Sequence, residues 1–134
     1  MKVNGLTGAL GLGFLLTGLF AFLLPEVFFN LLPDYYGQIN IHFIKDAGIS
    51  FFSSGTLLLL SLVVKKWQIP FAIGGALFVF LHALFHIQML LGGMAPTLLD
   101  KVIEITVIVS PGLLSGLVVG IRLNESRITT SDIH

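Results

Sequence analysis

Three pairs of ionisable residues stand four apart in otherwise apolar sequence: His42 with Asp46, His82 with His86, and Asp100 with Glu104. Residues four apart share one face of a helix, so each pair can act from one side of its element. Three imidazoles and three carboxylates brought together have the composition of a divalent transition-metal site. Imidazole suits zinc, copper, iron and nickel, and added carboxylates favour iron, manganese or zinc over copper(I). Iron and zinc are therefore the metals expected. Bundle di-iron sites use a Glu-x-x-His spacing, which this chain lacks. The candidate ligands are His42, Asp46, His82, His86 and Glu104, with Asp100 and then Glu26 as further carboxylates. The same groups can instead relay protons, as ionisable chains in pumps do, or satisfy one another as a polar network. Heme b fits less well. His82 and His86 share a face, so only His42 with one of them could clamp a porphyrin, and the flanking carboxylates make the pocket too polar.

Some of these residues have simpler roles. Asp100 falls in the first turn of a helix, where a carboxylate complements the dipole without further function; for Asp100 alone that role is favoured. Glu26 follows Pro25 and reads first as a cap of the short segment behind it. Lys45 adjoins Asp46 one turn from His42, so its ammonium competes with a cation unless it snorkels outward. Lys101 snorkels to the interface, and Lys65-Lys66-Trp67 is an interfacial anchor.

The elements that must position these groups follow from composition. The chain has 134 residues, 55% hydrophobic and only 10% charged, with a mean hydropathy of +0.99. Soluble domains carry about 25% charged residues, so a chain this short could not cover its apolar surface in water. Four apolar stretches, about 5–24, 39–64, 69–91 and 98–123, each reach the roughly 20 residues that span a hydrocarbon core. The sequence therefore predicts an all-α, polytopic membrane protein: one domain over 1–134, a four-transmembrane-helix bundle with a polar tail at 124–134. Continuous apolarity excludes a closed β-barrel, whose strands alternate. The first stretch is too long for a signal-peptide core, and no A-x-A-like site follows it. Zero cysteines exclude disulfides, thiolate metal sites and thiol catalysis. Seven basic residues balance seven acidic ones, so nothing points to nucleic acid.

Lys2, Lys65, Lys66, Arg122 and Arg127 fall at the termini and in the second connection. The positive-inside rule then places both termini in the cytoplasm of a plasma (inner) membrane and the first and third connections outside. At 1.5 Å of rise per residue, all six paired residues fall in one layer roughly 5–15 Å below the outer surface. Tyr35 and Tyr36 are expected at headgroup level. Gly5, Gly8, Gly11, Gly13 and Gly18 predict close helix packing, and Pro111 predicts a kink in the last span.

The run His42-Phe43-Ile44-Lys45-Asp46, followed one span later by His82-Ala83-Leu84-Phe85-His86, resembles small four-span bacterial inner-membrane proteins, DoxX-like in general build. The resemblance covers the architecture of most of the chain. It implies a bacterial or archaeal plasma membrane and brings no activity with it. From the residues themselves, the expected function is metal binding near the outer leaflet. A redox-active metal there would oxidise a lipid-soluble substrate such as a quinol, and zinc would serve hydrolysis. The alternatives are a proton-coupled transporter component and an accessory subunit of a homo-oligomer or larger membrane complex. The scarcity of polar residues in the cytoplasmic half weighs against transport.

Overall fold

The computed structural model describes residues 2–131, with side chains over 3–128. Among them the chain is all-α, and four helices are long and apolar enough to cross a membrane. Helix α1 (Lys2–Leu23) ends at Leu24 because Pro25 disfavours helical backbone in the residue before it. Pro25 then opens the short α2 (Pro25–Phe29), where its missing N–H is harmless. A 3-10 turn at Asp34–Tyr36 closes on Gly37, whose φ of 82° suits a residue without Cβ. The Asn40 side chain caps α3 (Ile41–Val63) by accepting from the Phe43 N–H at 3.1 Å. A second 3-10 turn, Lys65–Trp67, leads into α4 (Gln68–Leu91). The last span opens with α5 (Leu98–Ile103), passes through a π-helical segment at Glu104–Val109 and continues as α6 (Ser110–Ser131).

The order of packing is α1 on α3, α3 on α4 and α4 on α6, with α1 touching α6 more lightly. Successive spans run antiparallel, so one end of the bundle gathers the first turns of α1 and α4 and the last turns of α3 and α6. The other gathers α2, both 3-10 tyrosines and α5. Phe14, Leu58 and Val79 form the core, with Leu10, Phe51 and Phe78 against them. Lipid tails are as apolar as leucine, so close packing rather than water exclusion holds such helices together. Gly18 shows how close: a Cβ there would sit 2.5 Å from the Gly48 carbonyl oxygen of α3. The outward faces carry exposed Leu16, Leu77, Leu81, Val107 and Leu117. With four apolar spans, the chain is built as a multi-pass membrane protein.

Two features of the last span add to what was expected. Just before Pro111, where a kink is expected, the span passes through the π segment at Glu104–Val109, and Pro111 itself supplies no backbone donor to the i→i−4 ladder. The polar tail from 124 onward is helical as far as Ser131, because neither Gly nor Pro interrupts it. Positions 132–134 lie outside the described residues.

Candidate functional site

Glu104, the first residue of the π segment, is only 3% exposed. Four groups meet at or near its carboxylate. Tyr35 Oη donates to Oε1 at 2.5 Å, and Tyr36 Oη donates to the same oxygen. His86 Nδ1 lies 2.7 Å from Oε2, and His86 is also 3% exposed. His82, one turn back on α4, sets its ring against that of His86 with centroids 4.5 Å apart. It stacks on Phe78 at 5.5 Å and meets Phe51 edge-on at 5.3 Å.

Each partner is placed by a local cause. The spacing of four on α4 keeps His82 and His86 on the face that packs against the last span. The 3-10 turn stacks the Tyr35 and Tyr36 rings, centroids 5.0 Å apart, over the end of the bundle. Burial pushes both phenols above their ordinary range, and donation to the Glu104 carboxylate pushes them further. At neutral pH both therefore remain O–H donors. A carboxylate held by two phenols and an imidazole is a charge-assisted network, stronger per bond than neutral pairs. Its groups can also exchange protons, because proton movement onto Glu104 is felt directly by three titratable partners.

Of the residues singled out by spacing, His82, His86 and Glu104 come together. His42 and Asp46 do not join them. They pair with each other at 3.4 Å, with side chains 90% and 59% exposed. The reason is angular: Ile44 and Gly48 point into the bundle, and positions two residues from Ile44 project from the opposite side of the helix. Asp100 is occupied in a capping box. Its carboxylate accepts from the Thr97 N–H at 3.1 Å, and its own N–H reaches Thr97 Oγ1 at 3.1 Å. Glu26 is exposed on α2. Lys45 is exposed as well, its Nζ 5.8 Å from the Phe22 ring. As positioned, His86 Nδ1 and Glu104 Oε2 are bonded to each other, and no group of three or more His, Asp or Glu among the described residues is arranged to hold an ion.

Sequence reasoning missed Tyr35 and Tyr36 as members of the site. Their signal was there: two adjacent phenols in a Pro-to-Gly turn at the same end of the bundle as the carboxylate layer. It read Arg122 only as a positive charge at the end of the fourth span. Arg122 is 3% exposed, and its Nη2 donates to Asn4 Oδ1 and to Thr7 Oγ1, both at 3.1 Å. The cytoplasmic half expected from the charge rule is thus less apolar than its composition suggests. Compared with known protein families, curated proteins and solved structures, the chain matches none.

Proposed function

We propose that this is a plasma-membrane protein with cytoplasmic termini whose Tyr35, Tyr36, His86 and Glu104 form an acid–base site near the outer leaflet. The site binds the hydroxyl head of a lipid-soluble substrate of the quinol class and exchanges a proton with it. The observation that carries this is the Glu104 carboxylate, buried within a membrane-length helix and held by three titratable donors. Ionisable groups at such depth are costly and mark function by default, and π segments recur at functional sites. The tyrosines, half-buried over the bundle end, form the entrance. A ligand hydroxyl replaces one phenol at Oε1, its proton passes to that oxygen, and His86 at Oε2 adjusts to the change in charge. The orientation rests on the positive charges gathered at the opposite end.

Two observations favour this reading over its competitors. Of the buried hydroxyls deeper in the bundle (Thr7, Ser54, Ser61 and Ser115), Thr7, Ser61 and Ser115 donate to carbonyls of their own helices, which favours a one-sided site over a transmembrane relay. The cluster also faces inward, whereas a layer that docks an accessory partner would face out.

The test is a short-chain quinol titrated into the protein in lipid nanodiscs, read by NMR of ring-labelled tyrosine and histidine. Shifts at Tyr36 and His86 that vanish in Glu104→Gln are expected. Unmoved signals in the wild type overturn the proposal. Elemental analysis of the same sample supplies a second check: a stoichiometric metal that is lost in His82→Ala/His86→Ala would replace acid–base exchange by metal binding.

A further inference from the structure

Away from the Glu104 cluster, a groove of about 270 Å³ runs between α1 and α3, lined by Gly18, Leu19, Phe22, Leu23, Ile49 and Phe52. Every lining side chain is apolar, and Leu19, Phe22, Leu23, Ile49 and Phe52 are exposed, so the groove opens towards the hydrocarbon of the membrane. Its floor is where the two helices come closest: a Cβ on Gly18 would sit 2.2 Å from the Phe52 backbone nitrogen. The α3 wall continues upward into a charge. Lys45, Ile49 and Phe52 stand at i, i+4 and i+7, one face of the helix. Lys45 Nζ lies 5.8 Å from the centre of the Phe22 ring, which is itself part of the α1 wall. The ammonium is therefore held at the rim of the groove, in the second turn of α3 and within reach of the headgroup level.

Among the described residues the ion pairs within 4 Å are His42–Asp46 and His86–Glu104, so Lys45 is exposed and closes on no carboxylate at that distance. Asp46, its neighbour, projects about 100° further round the helix and is engaged by His42 at 3.4 Å. We propose that the groove binds one acyl chain of an anionic phospholipid whose phosphate pairs with Lys45. Lipid surrounds the spans on all sides, so exclusion from water selects no occupant. Selection comes from the charge at the rim, and the groove fixes a chain directly beneath it. The Asp46 carboxylate lies on the far side of Lys45 from the groove and opposes the headgroup only weakly.

The test mixes the full chain in mild detergent with phosphatidylglycerol or with phosphatidylcholine of the same acyl chains, and counts bound lipid by native mass spectrometry. One retained phosphatidylglycerol per chain is expected, preferred about fivefold, the contribution of one lysine near an anionic lipid surface. Lys45→Gln should bind both lipids equally, and Ile49→Trp, which fills the groove and keeps the charge, should retain neither. Both side chains are exposed, so the core is untouched in either variant. Equal retention of the two lipids by the wild type, a preference that survives Lys45→Gln, or retention unaffected by Ile49→Trp overturns the site. A dimer in the same spectra that Ile49→Trp abolishes would overturn it too, giving the groove to a second copy of the chain.

Discussion

His86 Nδ1 and Glu104 Oε2 lie 2.7 Å apart across the contact between α4 and the π segment, with both side chains 4% exposed. The pair joins two spans and, through the tyrosines on Oε1, the loop that covers them. Removing Glu104 takes the shared acceptor from His86 and both phenols, and removing His86 leaves the buried carboxylate to the phenols alone; breaking a buried pair costs about 3–5 kcal/mol. His86→Ala and Glu104→Ala should therefore each lower thermal stability in detergent sharply. Glu104→Gln keeps the shape and loses the charge, and a loss of about 1–3 kcal/mol is expected. Equal melting temperatures for all three variants and the wild type would show that the pair holds nothing together.

Tyr35 and Tyr36 are the only tyrosines in the chain, so tyrosinate absorbance reports the site directly. Both phenols are raised in the folded state, against about 10 when unfolded. A raised group contributes stability that is complete below the unfolded value and is lost as pH climbs towards the folded one. The folded protein should show little tyrosinate as pH passes 10, and its stability should begin to fall there. In Tyr35→Phe/Tyr36→Phe the protein should be less stable at neutral pH, with a flatter curve above pH 10. Tyrosinate appearing near pH 10 in the folded wild type would place the phenols in water.

The exposed pair His42–Asp46 provides the contrast. Ion pairs this accessible contribute little, so His42→Ala and Asp46→Ala should leave the melting temperature unchanged within error. They should also leave the tyrosinate titration and quinol-induced shifts as in the wild type. A loss of ligand response in either variant would return these residues to the site.

The contrast also shows what was legible in the sequence. Hydropathy and the Pro and Gly breaks were enough for four spans, because lipid imposes a length on every helix. Spacing placed His82 with His86 and put Glu104 at their depth, since depth follows from the fixed rise per residue. Spacing did not reveal which face of α3 turns inward. Ile44 and Gly48 decide that by packing, and so His42 and Asp46 point away. Nor could periodicity find Tyr35 and Tyr36, which reach Glu104 through a 3-10 turn rather than along a helix. Arg122 escaped for the same reason: its partners, Asn4 and Thr7, come from the far end of the chain.

Gly112 links this packing to the site. It lies on α6 three residues beyond the π segment, and a Cβ there would stand 2.5 Å from the Val79 carbonyl oxygen and crowd Ala83 on α4. Neither is the tip of a flexible side chain, so Gly112→Ala must move one helix against the other. Overpacking of this kind costs about 1–3 kcal/mol. The movement falls on the α4 segment that ends in His82 and His86, so the His86–Glu104 distance should change with it. The variant should therefore both melt earlier and shift the His86 ring signals, whereas Gly13→Ala, where a Cβ meets nothing within 4 Å, should do neither. A Gly112→Ala protein with wild-type stability and an unmoved His86 signal would mean that α4 and α6 do not approach as closely as 2.5 Å requires.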